Sequence, residues 1–476
     1  MQTPGITDKI LEFAADLRYQ DIPPEAILEA KRLLLDSMGC ALGGLLVDKG
    51  KIGVKMARRL GGPQESLIWG TGYRVSSAAA AFANGELTNA LDMDGLMFPG
   101  GHVPPCVIPA TVALAELQDT PGKELITVIA LVHELSSRIS GAMQYWRELV
   151  TEGPEKGTIK WPDVSGLSTP IIAGVLGCGK ILGLDKERLG HALGIAGHFC
   201  PVPSTGKWEN TIPSAMTKYL DMGWVSQAEV QAALLAEIGY TGDASILEGP
   251  YGFWKIYGSD RWQPEKIIDR LGERWLLPVK TIYKPYPCCR GMHGGLDCFI
   301  YLLEKHNLRP EEIERVVCLT DPIVERHLWR SRRIVTHVDT QFIAAYPFAA
   351  AAYRLVPGPA WQSREAVEDS RILSFMDKVT LGTYPRYGEL LLEDPRSPVT
   401  MVEVAARGQT FTEERRWIKG NPYPQSARMT DEDLINKFKN NGSGILSPAK
   451  LDRAAEAIMG IEKLESVREL IKQITP

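Results

Sequence analysis

The segment that decides the fold class is GKELITVIALVHELSSRISGAM, residues 122–143 of a 476-residue chain. Apolar side chains recur in it at steps of three or four: Leu125, Ile129, Val132, Leu135, Ile139 and Met143. This spacing places them on one face of an α-helix of about five turns. A helix of this length with one continuous apolar face predicts a helical bundle, not an alternation of strands and helices.

The helical period extends outward from this segment, from the start of the chain to about residue 268. Residues 22–39 begin with two prolines, which a first helical turn tolerates, and they end at a glycine. The alanine-rich residues 78–84 and the small residues of 174–179 predict helices that pack closely. We therefore predict a mainly α protein with a large all-helical domain over residues 1–269.

The composition changes after residues 275–278, where short β-rich runs appear between helices. These runs are residues 313–319, residues 378–381 and a hairpin of residues 399–404 and 410–412 that turns near Gly408. They predict a smaller α+β lid domain over residues 270–424. Helical period then returns, with Ser447 as an N-cap and Pro448 in a first turn. We expect residues 425–476 to complete the helical domain.

Composition excludes several classes of function. The net charge of −5 and the absence of a basic run make nucleic acid an unexpected partner. The N-terminus lacks the pattern of a signal peptide, and no stretch approaches the ~20 uninterrupted apolar residues of a membrane helix. We therefore expect a cytoplasmic protein without a membrane partner. The eight cysteines contain no Cys-x-x-Cys pair and are expected to be reduced core residues.

Cofactor and metal motifs are weak. Residues 174–180 have the spacing of a phosphate loop, but Ile181 follows where a serine or threonine should bind magnesium. No Gly-x-Gly-x-x-Gly motif follows a predicted strand, so a dinucleotide cofactor has no support. The eight histidines show no ligand spacing, and Asp92-x-Asp94 alone is too weak to imply magnesium. We predict that the protein uses neither a cofactor nor a metal.

The strongest candidate site is the segment from Asn89 to Ala110. Asp92 and Asp94 are followed by the break Pro99-Gly100-Gly101, by His102 and then by helix-like apolar sequence. Acids and a histidine on a loop between two buried helices suggest proton transfer. An Asp-x-Asp pair can also cap a helix, and a lone histidine is more often a core residue, so spacing alone leaves both interpretations open.

Two further segments carry cations. Residues 283–295, at the junction of the two predicted domains, bring Lys284, Arg290 and His293 together with Cys288-Cys289 among prolines and glycines. They could bind one anionic ligand, or they could form a linker whose charges are solvated. In residues 213–223, Lys218 lies in mostly apolar sequence, and a buried lysine needs an acidic partner or an anionic ligand.

At these segments the chain resembles the MmgE/PrpD family, which includes 2-methylcitrate dehydratases, cis-aconitate decarboxylases and iminodisuccinate epimerases. The resemblance runs over nearly the whole length, and the order and spacing of its motifs carry it. The matching motifs are residues 23–36, Asn84-Gly85, residues 91–94, His102 with residues 107–110, residues 216–218 with Gly223, residues 247–253, residues 284–290 with His293, and Gln341-Phe342 with Tyr346.

The resemblance implies a homodimer with a cofactor-independent site between a helical domain and a lid, acting on small di- or tricarboxylates. It also implies roles for nine residues. His102 is the expected general acid or base, with Asp92 or Asp94 orienting it and Tyr346 as a second proton donor. Lys218, Lys284 and Arg290 are expected to bind substrate carboxylates, and Cys289 and His293 belong to the same junction segment.

The departures from the family pattern shape the functional prediction. The family loop commonly continues with polar residues where this chain has Gly95, Leu96 and Met97, and a family histidine is replaced by Asp221. These changes predict a pocket less suited to a tricarboxylate and open to a less charged or larger substrate. Some relatives, including decarboxylases, have histidine where Cys289 stands, which disfavours decarboxylation.

We therefore predict a lyase of the hydratase or dehydratase type that transfers a proton next to a carboxylate. The alternatives are an isomerase or epimerase of a related acid, and a homologue that binds carboxylates without catalysis. Each rests on the same loop, because fixed donors beside a shielded site can either bind an acid or stabilise the charge that develops when it reacts.

Overall fold

The computed structural model describes residues 5–98, 101–143, 148–161, 167–259, 261–396 and 398–476. Helices dominate the first part of the chain, as predicted from its periodicity. They are α1 (Ile6–Asp16), α2 (Pro24–Gly44), α3 (Asp48–Leu60), α4 (Ser77–Asn89), α5 (Pro104–Leu117), α6 (Gly122–Ala142), α7 (Pro170–Ile181), α8 (Lys186–Phe199), α9 (Thr205–Trp208), α10 (Met222–Glu237), α11 (Phe253–Ile256) and α12 (Glu265–Ile268).

Helix α6 is the segment from which the helical fold was predicted. It is long and apolar enough to cross a membrane, but 94% of its most apolar window is buried inside the protein. Its apolar face joins a hydrophobic core that runs through both parts of the chain. Residues 174–179 lie within α7, which confirms that they pack as a helix and do not form a phosphate loop.

Helices α4 and α10 approach each other closely, and this contact fixes the position of the candidate site. A Cβ atom at Gly85 would lie 2.9 Å from the Gly223 Cα atom, and one at Gly223 would lie 2.4 Å from the Phe82 carbonyl oxygen. Both positions therefore require glycine. The end of α4 leads into the acidic loop, and the segment before α10 carries Lys218, so the two are held side by side.

Short two-stranded ladders occur in the region that was predicted to be all-helical, although one of their strands, β6, lies beyond residue 269. The strands are β1 (Ser66–Leu67), β2 (Arg74–Val75), β3 (Leu96–Met97), β4 (Glu148–Leu149), β5 (Ile159–Lys160) and β6 (Thr281–Ile282). Strand β1 pairs with β2, β3 with β6 and β4 with β5, all antiparallel. The ladders were not predicted, because strands of two residues have no detectable periodicity. The mainly α class is confirmed.

The second part of the chain combines a sheet with shorter helices, as expected for an α+β region. Its sheet has the order β10-β9-β7-β8, formed by β7 (Ile313–Thr320), β8 (Val379–Thr383), β9 (Thr400–Ala406) and β10 (Gln409–Arg415). The predicted hairpin is the antiparallel pair β9–β10, and β8 runs parallel to β7. The helices are α13 (Leu277–Lys280), α14 (His293–Lys305), α15 (His327–Arg330), α16 (Asp339–Phe342), α17 (Ala345–Ala352), α18 (Arg364–Glu368), α19 (Ser370–Phe375) and α20 (Tyr387–Glu393).

The C-terminal tail contains α21 (Asp431–Gly442), α22 (Pro448–Met459) and α23 (Val467–Gln473). It packs against the first helices of the chain. The Lys437 ammonium lies 2.6 Å from an Asp36 carboxylate oxygen, and the Gly70 amide donates to the Ile474 carbonyl. Ser447 caps α22 as predicted. The tail therefore contacts the helical region, while the exact domain limits remain a prediction.

Candidate active site

The acidic loop lies between α4 and α5, as predicted from sequence, although Pro99 and Gly100 are outside the described residues. Asp92 and Asp94 are buried, and His102 lies two residues before α5 with 8% of its surface exposed. The backbone of Asp92 has a φ of 54°, in the left-handed region. Non-glycine residues there are strained, and such strain concentrates at functional sites.

Asp92 is the centre of the site's charge. Its Oδ1 atom lies 2.7 Å from the Lys218 ammonium and accepts a hydrogen bond from the Tyr219 hydroxyl at 2.7 Å. Its Oδ2 atom lies 2.6 Å from the Lys284 ammonium. Burial raises the pKa of Asp92, but the two lysines outweigh it and hold the pKa well below its ordinary value. Asp92 is therefore an ionised group that gathers three donors.

His102 lies between the second aspartate and the same tyrosine. Its Nδ1 atom is 2.6 Å from Asp94 Oδ2, and its Nε2 atom is 2.7 Å from the Tyr219 hydroxyl. The two rings stack at 4.8 Å with a 24° angle. Burial raises the pKa of Asp94, but His102 lowers it below its ordinary value. The result is a continuous chain of hydrogen bonds: Asp94, His102, Tyr219, Asp92.

The contacts in this chain limit where the protons of His102 and Tyr219 can lie. Its three contacts each need one proton: on Nδ1 facing Asp94, on Nε2 facing Tyr219, and on the hydroxyl facing Asp92. A neutral imidazole carries only one ring proton, so one contact would join two acceptors. An imidazolium satisfies all three. The three contacts therefore favour a protonated His102, whose Nε2 proton would face the tyrosine oxygen.

Lys218 lies behind this chain, not on the cavity wall. Its ammonium is buried and donates to Asp92 and to the Asn89 carbonyl at 3.0 Å. Its backbone φ is 54°, so two strained residues face each other across one ion pair. Burial lowers the pKa of Lys218 to about 8, against the opposing effect of Asp92. Lys218 was predicted to bind a substrate carboxylate, and the structure instead makes it the partner of Asp92.

The junction segment is divided between the site and its support. Lys284 and Cys289 line the cavity, and burial raises the pKa of the Cys289 thiol to about 11. Arg290 also reaches the cavity wall, but its guanidinium donates to the Lys419 carbonyl at 2.8 Å and to Asn421 Oδ1 at 2.7 Å. Its donors therefore attach the chain after β10 to the site.

Two predicted site residues do not reach the cavity. His293 is fully buried, with its Nε2 atom 3.0 Å from the Cys288 carbonyl and its Nδ1 atom 3.1 Å from the Arg290 guanidinium. Tyr346 is fully buried on α17, and its hydroxyl donates to the Trp361 carbonyl at 2.7 Å. This corrects the expectation that Tyr346 supplies a proton, because its hydroxyl holds the backbone of another segment.

A cavity of about 780 Å³ opens beside the hydrogen-bond chain. Its polar inner end consists of Asp92, His102, Tyr219 and Lys284. Among the described residues, no group of three His, Cys, Asp or Glu side chains is placed to hold a metal ion. The side chains at the inner end can bind a carboxylate and hold a proton, which is the chemistry predicted for the loop.

The sequence prediction missed three residues of this site. Tyr219 links His102 to Asp92, and the Asn89 amide donates to Asp94 Oδ1 at 3.0 Å and to the Tyr219 hydroxyl at 3.1 Å. Lys280 lines the cavity and has no acidic partner among the residues described. Tyr219 directly follows Lys218, so its place beside a buried lysine was the available signal.

The departures from the family pattern have separate outcomes. Leu96 and Met97 form β3 and line the cavity, so the expected loss of polar contacts occurs in the pocket. Asp221 lies away from the cavity wall and caps α10 by accepting from the Trp224 amide at 3.1 Å. It therefore shapes a helix end and not the pocket, which corrects its predicted effect on substrate size.

Two family models match most of the chain. The MmgE/PrpD N-terminal domain matches residues 8–265, and the MmgE/PrpD C-terminal domain matches residues 286–462. The chain belongs to the MmgE/PrpD family, as the resemblance predicted.

Curated relatives match over nearly the full length. A cis-aconitate decarboxylase of Aspergillus terreus is 28% identical over 98% of this chain and 95% of its own length. The cis-aconitate decarboxylase of Mus musculus is 24% identical over 98% of this chain and 92% of its own. A cis-aconitate decarboxylase-like protein of Aspergillus oryzae is 24% identical over 99% and 97%.

Proposed function

We propose that this protein is a cofactor-independent lyase that delivers a proton to a small carboxylic acid at the carbon next to a carboxylate. The broad class, a lyase-type enzyme acting on a carboxylate, follows from the family and from the names of its relatives. The observation that carries the finer proposal is the continuous chain from Asp94 through His102 and Tyr219 to Asp92. When His102 is protonated, this chain places an acidic proton at the wall of a cavity.

Each member of the cluster has a role in this proposal. Lys284 uses one ammonium proton on Asp92 and has two left for a substrate carboxylate. Tyr219 turns its hydroxyl proton from Asp92 to the substrate, His102 Nε2 replaces it, and His102 regains a proton from solvent before the next turnover. Asp94 keeps the imidazolium charged and oriented. Lys218 keeps Asp92 ionised and so acts as a positioning residue, because it does not touch the cavity.

Loss of carbon dioxide is the reaction that this arrangement favours. The carbon–carbon bond to the leaving carboxylate breaks, and its electron pair stays on a substrate carbon conjugated with a carbonyl group or double bond. The proton from Tyr219 then forms the new carbon–hydrogen bond. Fixed donors in a water-shielded site stabilise the charge that develops on the way. The relatives named as decarboxylases support this choice.

Elimination of water, the reaction predicted from the sequence, is the second candidate. Cys289 favours it, because decarboxylases of the family were expected to have histidine at this position. In that reaction, the same proton would be delivered to a leaving hydroxyl group and not to carbon. A base would also have to remove a proton from carbon, and Asp92, bound by two lysines, is a weak one.

The test is to incubate the purified protein with cis-aconitate, related unsaturated acids and hydroxylated diacids, and to follow each by proton NMR and mass spectrometry. We expect loss of carbon dioxide or of water from one acid, abolished in His102→Gln and retained in His198→Gln, which alters an exposed histidine. A change of configuration without loss of mass would indicate an isomerase. Binding without any turnover would indicate a homologue that has lost catalysis and would refute the proposal.

A further inference from the structure

We infer that the substrate is a mono- or dicarboxylic acid with an apolar substituent of several carbon atoms, and not a compact tricarboxylate. The inference rests on the proposed function, because it names the substrate class of the same site. Four features of the cavity carry it: an apolar ladder, an aromatic wall, the balance of charge and the size.

The apolar ladder lies where the acidic loop leaves the polar cluster. Leu96 in β3 is paired with Ile282 in β6, and both residues line the cavity, as does Met97. The Phe98 amide donates to the Lys280 carbonyl and extends the pairing. None of these three apolar side chains can donate to a carboxylate, so a second or third acid group would gain no hydrogen bond from them.

The aromatic wall adjoins the proton-carrying tyrosine. Trp208, Trp329 and Phe342 line the cavity and are each at most 5% exposed. Trp208 meets Phe342 edge to face at 4.7 Å and 81°, and it meets Tyr219 at 5.7 Å and 88°. Rings that brace one another in this way form a preformed apolar surface. An apolar group attached near the reacting carbon would therefore lie against this wall.

The balance of charge at the inner end does not suit three carboxylates. Lys218 and Lys284 are both bound by Asp92, and His102 is bound by Asp94. With His102 as an imidazolium, these five groups have a net charge of only one positive unit. Four more cations line the cavity. Arg261 and Arg396 pair with Glu148 and Asp394, and the Arg290 guanidinium donates to backbone carbonyls and to Asn421. The fourth is Lys280, whose pKa is lowered first by burial and then by Arg274. The ammonium donors left for a substrate are therefore those of Lys284 and Lys280, which suit one or two carboxylates, since burying an unpaired charge is costly.

The size of the cavity points in the same direction. Its volume of about 780 Å³ falls within the range of about 300–1,000 Å³ that holds drug-sized ligands. A compact six-carbon tricarboxylate would leave much of this space, including the aromatic wall, without contact. A substituent that fills it would contribute through burial of its apolar surface.

The experiment compares binding of three acids by isothermal titration calorimetry: succinate, benzylsuccinate and tricarballylate. Full burial of an aromatic side chain contributes about 1.5–3 kcal/mol, so we expect benzylsuccinate to bind about ten- to a hundredfold more tightly than succinate. We expect tricarballylate to bind no more tightly than succinate. Equal or tighter binding of tricarballylate than of benzylsuccinate would overturn the inference.

Variants of cavity residues test which side chains cause the preference for benzylsuccinate. Leu96→Thr should reduce the preference for benzylsuccinate by at least threefold, and Ile282→Thr serves as a second test if that variant folds poorly. Leu381→Thr, a partly buried strand leucine in β8 away from the cavity, should leave the preference unchanged. An unchanged preference in both cavity variants would also overturn the inference.

Failure of the inference and failure of the proposed function give different results. Turnover of a compact tricarboxylate with no preference for benzylsuccinate would overturn the substrate class and leave the lyase proposal standing. A preference for benzylsuccinate without turnover of any acid would support the substrate class and refute the lyase. Binding of none of the three acids would overturn the inference and count against a carboxylate site altogether.

Discussion

Removing the Tyr219 hydroxyl is the perturbation that isolates the proposed proton path. The change Tyr219→Phe keeps the ring stacked on His102 and removes the hydrogen bonds to His102 Nε2 and to Asp92 Oδ1. Asp92 keeps both lysines, so the charge of the site is preserved. A hydrogen bond to a charged group contributes about 1.5–3 kcal/mol, and we expect a loss of about 1–3 kcal/mol in unfolding free energy.

The effect on catalysis should be larger than the effect on stability. A positioned acid or base contributes about 10²–10⁴-fold to the rate, so kcat should fall by this factor. This corresponds to about 3–5 kcal/mol in the activation free energy. KM should change by only a few fold, since Lys284 still binds the carboxylate. The assay is steady-state turnover of the best acid from the substrate panel, measured across pH.

A matched variant separates catalysis from structure. Tyr286 has the same 8% exposure as Tyr219, and its hydroxyl donates to a buried carboxylate, that of Asp297, at 2.9 Å. Tyr286→Phe should cost similar stability and leave kcat within a few fold of the wild type. If Tyr219→Phe retains more than a tenth of wild-type kcat with an unchanged pH profile, Tyr219 is not the proton donor.

Three further predictions follow from the buried charges. Because the pKa of Lys218 is lowered to about 8, Asp92 loses one cation as the pH rises through about 8, and kcat/KM should fall there. Lys218→Arg should move this fall in kcat/KM to higher pH. A kcat/KM profile that stays flat to pH 9.5 would contradict the prediction. Asp92→Asn leaves two buried lysines without a carboxylate, so the unfolding free energy measured in urea should fall by about 3–5 kcal/mol. Adding Lys218→Met should recover part of this loss. A loss below about 1 kcal/mol would argue against the ion pairs. Burial lowers the pKa of His133 to about 4, so as the pH falls below ~6.5 this histidine is protonated in the unfolded chain before it is protonated in the folded protein. The unfolding free energy, measured by urea titration at each pH, should therefore fall by about 3 kcal/mol between pH 6.5 and 4. His133→Gln should remove this part of the pH dependence.

The periodic parts of the fold could be predicted from the sequence. Helix α6, the hairpin β9–β10 and the cap at Ser447 each depend on residues close together in the chain. The ladder of β3 and β6 could not be predicted, because its strands are two residues long and its register depends on how the helices pack. The sequence showed that residues 96 and 97 are apolar, but it did not show that they line a cavity.

The sequence predicted most of the residues of the site, but it did not predict which of them bind one another. Asp92, His102, Lys218 and Lys284 were each recognised, but the lysines were assigned to a substrate. They bind Asp92 across 126 and 192 residues of chain, and sequence spacing does not encode such contacts. Tyr219 was missed because a tyrosine in an apolar segment usually packs in a core. Its position beside His102 follows a left-handed backbone conformation at Lys218, which the sequence did not reveal.

Incorporation of solvent hydrogen into the product reports whether the protein delivers a proton to carbon. The acid turned over by the wild-type protein would be converted in heavy water, and the product analysed by proton NMR. We predict one solvent-derived deuterium bound to carbon in the product, with product formation lost in His102→Gln. Product that carries no solvent deuterium, or that forms at the wild-type rate in His102→Gln, would contradict this prediction.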